Sequence, residues 1–428
     1  MTIRYKTITI LCAALMTASA LHAQTASPAA FPVRLAEERL RFLAADEREG
    51  RALYTPGLDQ SAAYIAAAFK KSGLRPFKGN SMLQSFAVYN TELKDLSATI
   101  GQQVFPAESV VVITGLQQLD LTEQSGYNVA TIDAGVSLFH EAYKIIHNGK
   151  NNIVLVDESY AAQFKRLAAF GGEFLERNGS TVFLLGKPGL SSYHIKATHT
   201  IKEQQLANVV GMLPGKSKKN EYVIFSAHYD HLGIGKPVNG DSIYNGANDD
   251  ASGTTAIMML ADYYAGLKNN ERTILFVAFT AEESGGYGSQ YFSKQLDPDR
   301  AIAMFNIEMI GTESKWGRNS AYITGYEASS LGKILQQNLA GTGFSFYPDP
   351  YPEQQLFYRS DNATLARLGV PAHSISTSKM DNEPYYHKPG DEIATLDIAN
   401  MTGVIRAIAL SAGSVISGKD TPSRVQQQ

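Results

Sequence analysis

Between residues 31 and 76 apolar side chains recur at helical spacing. Leu35, Leu40 and Leu43 mark one helix, and Ala62, Ala63, Ile65, Ala66 and Phe69 a second that stops at Ser72-Gly73, ahead of Pro76. The glycine- and proline-bearing stretch 50–57 between them reads as a loop, where Arg51 is expected to form a structural ion pair rather than to bind a substrate carboxylate. From 80 to 204 the pattern shortens into β-like runs at 110–113, 153–156 and 181–185, with one helical segment at about 160–176. From Leu206 strand and helix alternate: strands at 208–212, 221–227, 272–280 and 301–307, helices at 252–267 and 287–296. Helices at 329–340 and 361–368, a strand at 372–376 and a long helix at 396–417 follow. That alternation predicts an α/β fold, a mixed, largely parallel central sheet with helices on both faces, plus an inserted β-rich domain.

The division expected is a signal peptide at 1–23, an N-terminal helical part at 24–90, a β-rich insert at 91–204, the main domain at 205–418 and a flexible tail at 419–428. The signal reading rests on Arg4 and Lys6 ahead of the apolar stretch 8–20, with Leu21-His22-Ala23 as a tolerable cleavage site. The sole cysteine, Cys12, lies inside that leader and follows Leu11, where a lipid-anchoring signal would want a small residue. An exported, periplasmic or secreted protein without disulfides is therefore expected, held by its core with help from metal.

Composition is ordinary for a globular chain, 44% hydrophobic and 18% charged. With a net charge of −3 and no long basic run, it lacks the electrostatic footprint of a nucleic-acid or membrane-surface binder.

The chemistry gathers where strands end. His228-Tyr229-Asp230 closes one strand, Asp249-Asp250 closes the turn-rich segment after it, Glu282-Glu283 and Glu308 follow two more strands, and His387 lies in a loop before Pro389-Gly390. Singly, an acidic pair after a strand is an ordinary helix-start charge and a lone histidine is ordinary packing. Together they place carboxylates and imidazoles at one sheet edge, where like charges repel unless a cation neutralises them. Two imidazoles with several carboxylates and no thiolate suit zinc, and two ions need one bridging carboxylate. Asp249 is the natural bridge, His228 and Glu308 complete one ion, and Glu283 and His387 the other. Glu282 is left over beside a ligand, which suits a general base. By contrast His140, His147, His194 and His199 have no acidic or cysteine partner at ligand spacing and read as polar surface.

These segments, Ala227 to Gly233, Gly246 to Gly253, Ala281-Glu282-Glu283, Asn306 to Gly311 and Tyr386-His387, resemble in content and order the zinc-dependent exopeptidases of the M28 aminopeptidase family. The resemblance is strong over 206–412 and weaker over 35–86, and 152–185 is distantly similar to the protease-associated domain. It implies a zinc exopeptidase fold with two zinc ions, His228, Asp249, Glu283 and His387 as metal ligands, Glu282 as general base and Asp230 as the acid that orients His228. It further implies a cis peptide before Asp250, and an oxyanion-steadying phenol at Tyr386, for which aromatic packing is the plainer role. Two positions depart from the family pattern: Glu308 stands where Asp is usual and Asn362 where many relatives carry His. The expected substrate is a peptide or protein terminus, attacked at the amino end, through a pocket formed by 354–360 and 380–385. Other readings are a carboxypeptidase or dipeptidase of the same clan, a glutaminyl-cyclase-like transferase, and a non-catalytic binding protein.

Overall fold

Every residue of the strand Arg272–Phe279 is buried, as a strand covered by helices on both faces requires. In this computed structural model, which describes residues 30–177 and 179–426, that strand lies inside a twelve-stranded mixed sheet. The signal peptide expected over 1–23 falls outside the described residues. The main strands are β1 (Leu83–Ile100), β2 (Tyr193–Leu213), β3 (Lys218–His228), β4 (Arg272–Phe279), β5 (Ala301–Ile307), β6 (Ser320–Ile323), β7 (Ser345–Pro348) and β8 (Ala372–Ser376). Their order is β7-β6-β8-β5-β3-β4-β2-β1. The four central strands β8, β5, β3 and β4 are parallel, while β2 pairs antiparallel with both β4 and β1. The mixed, largely parallel sheet expected from the sequence is thus present.

Side chains alternate across this sheet, and the two faces are covered by different helices. Val223, Phe225, Ile274, Phe276 and Phe305 face α1 (Val33–Leu43), α2 (Pro56–Lys71), α3 (Gly253–Leu267) and the C-terminal helix Ile398–Ser411. Ile224, Leu275, Val277, Phe279 and Met304 face the opposite layer, where the helices Tyr287–Ser293 and Asn362–Arg367 lie. α2 begins as its sequence demands, with Thr55 accepting from the Leu58 N–H and Pro56 at the first helical position.

The insert grows out of the sheet. β1 and β2 stay paired from Leu83↔Val209 to Ile100↔Tyr193 and carry a second, four-stranded sheet of Val110–Ile113, Asn128–Ile132, Asn152–Val156 and Thr181–Leu185. The helix expected over 160–176 is instead a short α-helix, Ala161–Phe164, followed by a 3-10 segment, Lys165–Gly171, that stops at Gly171-Gly172. A helix at Leu138–Ile146, absent from the sequence reading, packs its buried Leu138 and Ala142 on the insert. His199, expected on the polar surface, is buried at the β1–β2 register shift, and His194 meets Asp120 at 2.7 Å across a strand pair.

The tail was expected to be flexible; over 419–426 it is instead docked. Arg272, fully buried, donates to Glu221 at 2.6 Å and to the carbonyls of Val415 and Asp420 at 2.6 and 2.7 Å, and it reaches Thr421 Oγ1 at 2.6 Å. Arg424 donates to the carbonyls of Pro298 and Ala301, and the Val425 N–H to that of Gly369. A buried guanidinium must find acceptors, and the last residues supply them, a requirement that polar composition conceals. Arg272→Met should lower stability by about 2–4 kcal/mol, read as a lower urea midpoint, and Arg272→Lys should recover only part of it.

Candidate metal centre

Four parallel strands end at one edge, and the chain turns sharply as it leaves them. β3 ends on His228; after β4, Ala281 takes a positive φ of 60° before Glu282 and Glu283; after β5, Glu308 precedes Met309 at φ 50°. Gly246, at φ 54°, opens the Asp249 turn, where a Cβ would lie 2.2 Å from the Asp249 carbonyl and 2.6 Å from the His231 ring, so only glycine fits. The Asp249–Asp250 peptide is cis, as the family resemblance implied.

This edge brings together all five metal-ligand candidates. His228 Nε2 is 3.2 Å from Asp249 Oδ1 and 3.3 Å from Glu308 Oε1. His387 Nε2 is 3.3 Å from Asp249 Oδ2 and 3.1 Å from Glu283 Oε2. The two oxygens of Asp249 therefore face different histidines, each with its own glutamate. The extra methylene of Glu308 does not remove it from the cluster: Oε1 reaches His228, while Oε2 accepts from Ser360 Oγ at 2.6 Å. Tyr386 stacks on His387 with ring centroids 3.9 Å apart.

Other acids at this edge are occupied with main-chain N–H groups. Asp250 accepts from the N–H groups of His228, Gly253 and Met309 at 3.3, 3.0 and 3.1 Å, so it clamps three segments. Although it lies close enough to group with His228 and Glu308, its lone pairs are largely committed. Asp391 accepts from Asn248 and Asp249 at 2.8 and 3.0 Å. Asp230 accepts from Glu282 and Glu283 at 3.2 and 3.4 Å. Its carboxylate was expected to orient His228, yet it stands 3.8 Å from Nδ1, whereas its own carbonyl is at 3.1 Å and is the nearer orienting group.

Arg51 corrects another expectation. Fully buried, it makes no carboxylate contact among the described residues and donates instead to the carbonyls of Tyr229, Leu43, Asn245 and Gly246 at 2.8, 2.8, 2.6 and 2.9 Å. His231, not assigned from the sequence, places Nδ1 2.8 Å from Glu283 Oε1 and groups with Asp249 and Glu283. Its position three residues after His228 was the available signal. Asn362 donates to the carbonyls of Phe357 and Ala372 and accepts from Ser374, so it supports structure at this position.

The donor set fits a divalent cation. With the His228 Nδ1 proton directed at the Asp230 carbonyl, a neutral ring turns the Nε2 lone pair toward two carboxylate oxygens, an arrangement that needs positive charge between them. The same carboxylates also favour positive charge on the imidazoles themselves. Burial alone would lower the pKa of His228, but Glu308 and Asp249 carry it well above its usual value; His387, opposed by burial in the same way, rises to about 10 beside Asp249 and Glu283. Asp249 falls well below the carboxylate range because hydrogen bonds to both histidines outweigh its burial.

Residues 208–412 match the family model described as Peptidase family M28. Over this region, just under half of its length, the chain is similar to peptidase family M28. The chain is similar to a probable leucine aminopeptidase of Arthroderma otae, 28% identical over 45% of this chain and 53% of that protein. The chain thus spans about half the length of that fungal relative, and of the similar ones from Trichophyton verrucosum and Arthroderma benhamiae. A Bacillus subtilis protein, aminopeptidase YwaD, is 22% identical over 99% of this chain and 97% of its own. In fold the chain is similar to the aminopeptidase from Aneurinibacillus sp. strain AM-1 (TM-score 0.55, 17% identity, 94% of this chain and 97% of that one). It is also similar in fold to BSAP, a zinc aminopeptidase from Bacillus subtilis (TM-score 0.54, 18% identity, 93% and 98%).

The centre depends on the acids that hold its backbone. Asp391→Ala removes the acceptor for two N–H groups beside Asp249 and should weaken metal binding about 10–100-fold in competition with a chelator, with the circular dichroism unchanged.

Proposed function

We propose that this protein is an exported zinc aminopeptidase that removes single residues from the amino end of peptides, using two zinc ions and Glu282 as general base. The observation that carries the reading is the division of the Asp249 oxygens between His228 and His387, each with a glutamate beside it. His228 and Glu308 would hold one ion, Glu283 and His387 the other, and Asp249 would be shared. Zinc bound there supplies Lewis-acid polarisation of the scissile carbonyl and lowers the pKa of the attacking water toward about 7.

Glu282 takes the proton from that water and returns it to the leaving amine. Burial pushes its pKa well up, and although His228 opposes this, Glu308, Asp361 and Glu283 add to it, a direction that suits proton exchange near neutrality. Tyr386 lines the same pocket; burial and the surrounding carboxylates raise its phenol, so it stays protonated and can donate to the developing oxyanion.

The amino end is favoured by the relatives, whose names describe aminopeptidases. A pocket of about 80 Å³ is lined by Asp249, Glu282, Glu283, Glu308, His387 and Arg359, so the ligand cluster opens directly onto it. Leu356, Arg359, Ser360 and Met380 come from the segments expected to form it, and Tyr322, Thr324, Ser374 and Ser376 complete it. Export is supported by the leader pattern and by the absence of cysteine from 24–428.

Purified protein, beginning at Gln24 once the leader is removed, should bind two zinc ions and release one residue at a time from an unblocked peptide. N-acetylation should stop cleavage and C-amidation should not; the reverse pattern would make it a carboxypeptidase, and cyclisation of an N-terminal Gln peptide without hydrolysis a transferase. Glu282→Gln should reduce kcat by roughly 10²–10⁴ while zinc content stays at the wild-type value. A fully active variant would remove the proposed base.

A further inference from the structure

A cleft of about 840 Å³ opens between the insert and the main domain, within the roughly 300–1,000 Å³ of small-ligand sites. Phe174 and Arg177 line it from the insert, Tyr287 and Tyr358 from the main domain. It shares only Glu282, Arg359 and Ser360 with the small acidic pocket. The proposed base therefore stands where two spaces meet. In the aminopeptidase reading, on which this inference rests, the terminal residue fills the small pocket and the rest of the peptide runs into the cleft, because Glu282 must reach the nitrogen of the scissile bond.

The two spaces differ in charge. In the cleft Glu176 is paired with Lys294 at 2.6 Å, Glu173 accepts from Tyr54 and Asn90, Asp361 is buried in the wall, and Arg359 and Arg367 add positive charge beside Arg177. Arg177 has no carboxylate partner among the described residues. Its guanidinium lies 4.5 Å from the Phe174 ring centroid, Nη2 donates to the Phe170 carbonyl at 3.2 Å, and Nε is buried with no acceptor. Burial holds the Arg177 pKa below its ordinary value, opposed only by Tyr287. Half-buried guanidinium groups with donors to spare are commonly completed by carboxylates. The insert is also fixed well enough to present one: Tyr287 donates to the Glu173 carbonyl at 3.0 Å, and Glu173–Phe174 pairs with β1.

We propose that Arg177 receives the carboxy terminus of a short peptide whose first residue sits in the small pocket, which makes peptides of a few residues with a free carboxylate the preferred substrates. The test compares kcat/KM for tri- and tetrapeptides with free and with amidated carboxy termini, in the zinc-loaded full chain and in Arg177→Met and Arg177→Lys. Wild type should favour at least one free acid by about tenfold or more, through a lower KM. That ratio should fall toward one in Arg177→Met and recover in part in Arg177→Lys. As each variant is its own reference, partial loss of folded protein does not affect the ratio. Equal turnover of free and amidated peptides by wild type, or an undiminished ratio in Arg177→Met, would overturn the proposal while leaving the aminopeptidase reading in place. No release of residues from any unblocked peptide would end both.

Discussion

Arg51 donates to main-chain oxygens of Leu43, Tyr229, Asn245 and Gly246, and in doing so ties the turn after β3, the approach to Asp249 and the end of α1 to one buried group. A guanidinium taken out of water is costly unless its donors are satisfied, so the carbonyls converge on it as much as it serves them. Its charge also offsets acids around it: burial lowers its pKa, and Asp391, Asp230, Asp249 and Asp250 pull the other way. The placement of His228 relative to Asp249 follows from this anchoring.

Around that anchor the acids divide into two groups. Asp230, Asp250 and Asp391 spend their lone pairs on backbone N–H groups, while Asp249, Glu283 and Glu308 turn toward imidazoles. The first group gives the backbone a fixed shape at the sheet edge, and the second uses that shape to concentrate negative charge. Such a centre is organised by hydrogen bonds that do not require the cation to form.

Much of this was legible in the sequence because strand ends are marked by where an apolar run stops, and β3, β4, β5 and β8 all stop within a few residues of the expected places. The five ligand candidates were legible for the same reason: each follows a strand or sits in a loop beside proline and glycine. What the sequence hid were roles set by partners distant along the chain. Arg51 looked like a surface ion-pair residue because its acceptors are carbonyls, which every residue carries. His231 was masked by the nearer His228, and Asp230 acts on His228 through its carbonyl more closely than through the carboxylate its identity advertised. The insert was legible as β-rich with a helical segment near 160–171, but the helix Leu138–Ile146 was not, being only nine residues long.

The docking of the last residues bears on the order of assembly. Arg272 ends its search for acceptors at Asp420 and Thr421, 148 and 149 positions later, and β1 must wait for β2, whose paired residues lie 93 to 126 positions downstream. A chain emerging from its N-terminus cannot complete the β1–β2 pair until the middle of the sequence is made, nor satisfy Arg272 until its last residues are. Nucleation is thereby postponed to contacts of long sequence separation, which makes folding slow and leaves strand edges open to misassociation during that interval.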